Sequence, residues 1–441
     1  MNQFLDKRIS INARTSFISK GFNLFVSLIS VTVVLALFSE IQQGIFYFIL
    51  SILSFALAAE SGLTLSTGVG ITNHLKGISA DSLEEFRRLV RFDSTLRAII
   101  GFSLIAFFIV FLLVILVVTL VANQASYVSS ELNISLFTYL ALIVFMSYFN
   151  LVNQSVYEGC GEIGRYQKLL IIANGFGLGI FLLAVFNEEY TLALLHQYFF
   201  RSLILMILMN LELKFWEIYF RPWNTQAIKV YVKSISNFQV KLGVSWISGA
   251  VMYYSIIPLI GLSGDLVTAG YLGLCLQSFH AILGLSLSWQ VGSQPAFVNY
   301  LLVSDGKQFS KFVDSISMKC MKIAIFITVF SLVSLYLLDL IYPILHRFGS
   351  FLDLTVFCLT AIMLSWVSPM TAAVRANKED PFVFLSICTA IAVAVVSWGL
   401  SHNQTVDYLS KAFMLIMFLQ TVFIILIFNN WKKKKFSFCE D

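Results

Sequence analysis

Six ionisable residues lie within or at the ends of long apolar runs: Arg201, Glu60, His280, Lys20, Arg14 and Lys241. A charge held in hydrocarbon costs about 2.5–3.5 kcal/mol on insertion scales, so each needs a partner, water or a ligand. Arg201 stands about twelve residues into its run, roughly 18 Å along a helix and near the centre of a roughly 30 Å hydrocarbon core. A guanidinium there can hold a phosphate or carboxylate through two parallel hydrogen bonds, or it can serve as a helix-paired structural cation. Gln197, Tyr198 and Ser202 can share its polar face. Glu60 closes the second run and suits either ion coupling or an interfacial ion pair. His280, mid-run, suits a cavity role or a satisfied core position. Arg14 and Lys20 open the first run and Lys241 the seventh, where they either line a cationic mouth or snorkel to the headgroups. Ser147, Tyr148, Asn150, Asn153, Gln154 and Ser155 form a polar stretch in the fourth run, fitted to water, sugar or interhelical packing.

Other chemistry is missing. There is no GxxxxGK[ST] for nucleotide phosphates, no HExxH and no His/Cys ligand cluster, so neither ATP hydrolysis nor a resident cofactor or metal is expected. The cysteines Cys160, Cys275, Cys320, Cys358, Cys388 and Cys439 show no CxxC spacing and read as free thiols used as small apolar residues. Nothing points to nucleic acid, and the chain does not read as an enzyme.

The elements that must position these residues are membrane helices. Of 441 residues, 58% are hydrophobic and only 12% charged, with a mean hydropathy of +0.85. Soluble domains carry about twice that charge. Apolar runs place about twelve spans at 17–38, 44–63, 96–121, 135–157, 168–186, 190–210, 243–261, 266–289, 319–342, 351–372, 381–400 and 407–429. Nearly all of the 29 Lys and Arg residues fall on the side of the N-terminus, and the other side holds only Arg347 and Lys411. The positive-inside rule then makes both termini cytoplasmic. The cytoplasmic linkers are the long ones, and Leu83, Phe86, Leu89 and Val90 beside Arg87, Arg88 and Arg91 fit an amphipathic helix lying against membrane lipid. Trp223, Trp289, Trp431 and Trp398 fit interfacial anchors.

A shift of 226 residues pairs Gly44 with Gly270, Leu50 with Leu276, Leu57 with Leu283 and Phe86 with Phe312, together with the pattern of short loop, Gly-opened span and long linker. Because six is even, the halves are parallel repeats with a cavity expected between them. They divide at 1–222 and 223–441, around Arg221-Pro222-Trp223-Asn224.

Several stretches carry a family resemblance. Gln43-Gly44-Ile45-Phe46-Tyr47-Phe48, running to Glu60-Ser61-Gly62-Leu63, is similar to the second span of bacterial polysaccharide flippases. Of the short S-H-E that follows there, Asn73-His74-Leu75 keeps only the His. Ser245-Trp246-Ile247-Ser248-Gly249 resembles the SWISGY of their seventh span. Gly270-Tyr271-Leu272-Gly273, Leu287-Ser288-Trp289 and Gln294-Pro295-Ala296-Phe297 resemble the eighth span and its exit loop, although Ser293-Gln294 departs from the usual Lys before that Pro.

The resemblance implies a Wzx-like O-antigen flippase of the MOP superfamily, related to the MATE transporters. It implies an all-α polytopic membrane protein, with twelve helices in two six-helix lobes around a central cavity. The implied cargo is a polyprenyl-diphosphate-linked oligosaccharide, moved from the cytoplasmic to the periplasmic leaflet of the bacterial inner membrane by alternating access. Coupling to H⁺ or Na⁺, with Glu60 as the carboxylate, and contact with other polysaccharide-assembly proteins complete the expectation. A MATE-like exporter of small cations, a membrane polymerase or ligase, and a non-transporting scaffold are the competing classes.

Overall fold

The computed structural model describes residues 2–60, 62–75, 89, 93–125, 134–213, 225–303, 306–341, 345–377, 379–403 and 405–436. Lipid offers no partner for backbone N–H and C=O groups, so apolar runs of this length must satisfy them internally as helices. The helices in chain order are α1 (Asn2–Leu37), α2 (Glu40–Ala58), α3 (Leu63–Leu75), α4 (Ser94–Ala125), α5 (Ile134–Gly159), α6 (Ile163–Phe186), α7 (Tyr190–Leu213) and α8 (Thr225–Tyr254). They continue as α9 (Ile256–Leu262), α10 (Leu266–Ser286), α11 (Ser288–Val303), α12 (Gly306–Asp339), α13 (Phe351–Arg375), α14 (Val383–His402) and α15 (Leu409–Phe436). A 3₁₀ turn, Leu345–Phe348, precedes α13, and another, Val406–Tyr408, precedes α15.

Among the described residues, 11 helices are long and apolar enough to cross a bilayer, or 12 counting the bent pair α8–α9. That pair bends by 52° at Ser255. Pro258 lies three residues on and cannot donate to the carbonyl four residues before it, which interrupts the helical ladder there. The chain is therefore a multi-pass membrane protein with the expected span order. Phe108, Leu112, Leu116 and Leu120 on α4 are exposed, the surface a helix presents to lipid rather than to water. The helices overrun their apolar cores: α5 extends to Gly159 and α12 starts at Gly306. The amphipathic face around Arg87, Arg88 and Arg91, Trp223, and the boundary Arg221–Asn224 lie outside the described residues.

The chain forms two compact units, one of residues 1–51 with 251–441 and the other of 52–250. These do not share the sequence-based limits of 1–222 and 223–441, because the opening helix of each half packs with the other half's helices. In the first unit α1 lies along α11, with Phe17 edge-on to Trp289 at 6.2 Å and Lys20 Nζ donating to the Gly284 carbonyl at 3.0 Å. Trp431 is buried there beside Phe309 and Phe428 instead of standing free as an anchor. The other unit has a core of Ile71, Leu96, Ile99, Tyr157, Leu170 and Met209, among others. There the α8 side chains Leu242 and Trp246 cover Gly62, and Tyr231 packs against Phe102 at 5.8 Å.

Candidate functional site

The break between α2 and α3 positions Glu60. Gly62 adopts a left-handed φ of 65°, and a Cβ there would meet Leu242 at 2.8 Å and Trp246 at 3.0 Å. Only glycine meets both demands, so the Glu60–Leu63 turn and the Ser245–Gly249 stretch, separate in sequence, form one packed feature. Glu60 is buried, at 7% exposure, and its carboxylate accepts from the Thr64 hydroxyl one turn into α3.

A second carboxylate, Glu158, faces the same region from α5. A Cβ on Gly68, one turn beyond Thr64, would lie 3.8 Å from Glu158 Oε2. Gln154 Nε2 donates to Glu158 Oε1 at 2.7 Å, while its own Oε1 accepts from the Tyr166 hydroxyl at 2.8 Å. Glu158 was missed in the sequence because hydropathy ends the fourth span at 157, one residue short. The signal that could have found it is its spacing, four residues past Gln154 on the same helical face.

Arg201 sits partly buried on α7, its guanidinium carbon 5.5 Å from the Tyr198 ring centroid. Among the described residues no carboxylate oxygen lies within 4 Å of it. The aromatic face supplies a cation–π contact but no counter-charge. Of its proposed neighbours, Ser202 turns away to α5, where Ser147 Oγ lies at 2.9 Å and Asn150 Nδ2 donates to the Ser202 carbonyl at 2.9 Å. Much of the fourth span's polar stretch is thus spent on interhelical packing. Asn150 Oδ1 remains buried without a partner.

The six sequence candidates divide evenly. Arg201, Glu60 and Lys241 belong to the unit of residues 52–250, and Arg14, Lys20 and His280 to the other. Glu60 is buried and Arg201 partly buried, while Lys241 is exposed on α8. Lys20 is tied to Gly284 beside Cys320 and does not stand free at a mouth, and Arg14 is exposed. His280 is held by aromatic packing, stacked on Tyr254 at 4.8 Å and bonded to the Tyr253 backbone just before the α8–α9 break. Five described cysteines are free, and Cys439 lies outside the described residues. No group of three or more His, Cys, Asp or Glu side chains suited to a metal occurs among the described residues.

Outside the spans, His74 Nε2 and Asp93 Oδ2 lie 2.6 Å apart. Asp93 also caps α4, accepting from the backbone N–H of Thr95 at 2.7 Å and Leu96 at 3.2 Å. Burial works to raise this carboxyl, but the hydrogen bonds from His74, Leu96 and Thr95 outweigh it and hold it below its ordinary range.

The arrangement of helices is that of the MATE transporters of the MOP superfamily. An outward-facing multidrug resistance MATE family transporter of that superfamily superposes with a TM-score of 0.60, at 14% identity over 98% of this chain and 96% of its own. A MOP superfamily transporter from Pyrococcus furiosus gives 0.59 at 15% identity over 99% and 97%. The eukaryotic MATE transporter AtDTX14 gives 0.67 at 12% identity over 99% of both chains. At these identities the likeness establishes the fold. No protein-family model matches the chain, and no curated protein matches it significantly.

Proposed function

We propose that this protein is a transporter that flips a polyprenyl-diphosphate-linked oligosaccharide across the bacterial inner membrane, with both termini cytoplasmic. The observation that carries this reading is Arg201, an arginine deep in a span with an aromatic face beside it and no carboxylate within ion-pairing distance among the described residues. An anionic diphosphate or acidic sugar supplies the missing counter-charge, while the polyprenyl tail stays in lipid. The motif resemblance in the second, seventh and eighth spans supports the same cargo, and the MOP fold supports transport in general. With no nucleotide site, movement is by alternating access. Glu60, backed by Glu158, is the place for coupling to H⁺ or Na⁺. Membrane lipids surround the chain, and other polysaccharide-assembly proteins take up the product.

Arg201→Ala is expected to abolish export of the polysaccharide at normal membrane levels of the protein, with the lipid-linked unit accumulating on the cytoplasmic leaflet. Arg201→Lys should retain part of the export, since it keeps the charge and loses the fork. Full export by the Ala variant would refute the assignment.

One observation favours a second reading. The buried carboxylate of Glu60 and the partly buried Glu158 together suit a MATE-like exporter of small cations better than a carrier of anions alone. Overproduction would then raise cellular resistance to cationic dyes, and Arg201→Ala would leave that resistance unchanged.

A further inference from the structure

The far ends of α1 and α2, opposite the N-terminus, are closed onto α10 by a small set of polar contacts around Arg347. This arginine sits in the 3₁₀ turn Leu345–Phe348. Its Nη2 donates to the Phe38 carbonyl at 3.3 Å, just past the end of α1, and its Nη1 to Gln43 Oε1 at 3.4 Å. Gln43, which is wholly buried, returns two bonds from Nε2, to the Gly270 carbonyl at 3.2 Å and the Arg347 carbonyl at 3.3 Å. Tyr271, the next residue, lies near Glu40 at the start of α2. One side chain from each of two distant segments thus ties three helices together, and every amide atom of Gln43 is used.

The chemistry suits a clasp that opens. Under it, α2 and α10 meet through small residues, Gly44 against the Leu266 carbonyl and Gly270 against Gly44, with Gly273 receiving Tyr47 and Gly261 of α9 receiving Phe48. The bonds that Arg347 and Gln43 make to close it are long, and their partners are carbonyls and an amide that water can satisfy equally well when they part. Only the first twelve residues of α2 group with α10, since the chain passes from one compact unit to the other after Ser51. We infer that Arg347 and Gln43 form a releasable latch that holds the far end of α2 shut against α10 and yields when that end of the protein opens. The inference rests on the transporter reading, because only a protein that alternates its access needs such a release.

The test is thiol reactivity of purified protein in nanodiscs, which does not depend on cargo or on sidedness. Tyr47→Cys places a reporter in the seam, and labelling is read on the peptide carrying position 47. Adding Arg347→Ala should speed its labelling about tenfold, the effect of losing two modest hydrogen bonds. Arg347→Lys should restore part of the protection. A second reporter, Val156→Cys in the core of the other unit, should label at the same slow rate with and without Arg347→Ala. Equal rates at position 47 would overturn the latch, and so would parallel acceleration at positions 47 and 156, which is what general loosening gives. Either result stands apart from the fate of Arg201→Ala, which judges the transporter reading alone.

Discussion

Gly44 and Gly270 meet face to face: a Cβ on Gly270 would lie 3.0 Å from the Gly44 nitrogen and 3.2 Å from its Cα. They are 226 residues apart, and so are Tyr47 and Gly273, where a Cβ on the glycine would run into the tyrosine Cβ. Both pairs join α2 to α10. The same shift relates Trp246 to Lys20 and the Glu60–Gly62 turn to Ser286–Ser288. Trp246 covers Gly62 in one unit, and Lys20 bonds Gly284, two residues before Ser286, in the other.

Close approach between α2 and α10 makes their glycines unequal to others in the chain. Gly44→Ala drives a methyl into the Leu266 carbonyl, and backbone on both sides leaves it no room to yield. A loss of about 1–3 kcal/mol is expected, read as a lowered melting temperature in detergent. Gly249→Ala and Gly179→Ala, with nothing within 4 Å, should leave that temperature unchanged or raise it slightly.

Glu60 accepts from Thr64 on α3, and Glu158 lies beside Gly68 one turn further along the same helix. Neutralising one of these carboxylates removes a costly charge from the spans and should not harm the fold. Glu158→Gln keeps an acceptor for Gln154 and should leave thermal stability equal or higher, while transport driven by an ion gradient falls at least about tenfold. Gradient-driven uptake into inverted vesicles compares it with the wild type. Undiminished coupling in both Glu158→Gln and Glu60→Gln would exclude the pair from the transport cycle.

Asp93 gives the fold a measurable acid limit. Its folded value is held below the ordinary carboxylate range, so the carboxylate stabilises the protein above that range and the gain is lost as pH falls through the folded value. Asp93→Ala removes the cap of α4 and should cost about 1 kcal/mol at neutral pH. Melting curves of wild type and variant should stay apart between pH 8 and 5 and converge below about pH 4. A gap that persists undiminished at lower pH would assign the effect to packing.

The sidedness expected from the charge asymmetry can be tested directly. Asn123, Asn187, Asn403 and Lys229 are all exposed positions. Cysteines at the first three should react with a membrane-impermeant thiol reagent applied to intact cells, and Lys229→Cys should not. Labelling of Lys229→Cys would invert the assignment of both termini.

The span count and order were legible in the sequence because the bilayer imposes one local requirement, about 20 apolar residues per crossing, and composition alone meets or fails it. The partners of each helix were not legible. That α1 braces α11 and α8 braces α3 depends on packing between segments hundreds of residues apart, and apolar surfaces facing lipid or another helix look alike in composition. Arg201 and Glu60 stood out because charge in hydrocarbon is costly wherever it points. What each faces was decided by the tertiary structure: Thr64 meets Glu60, the Tyr198 ring meets Arg201, and aromatic rings pack around His280. Sequence marks where a polar group carries a cost, and only the folded chain settles which neighbour offsets it.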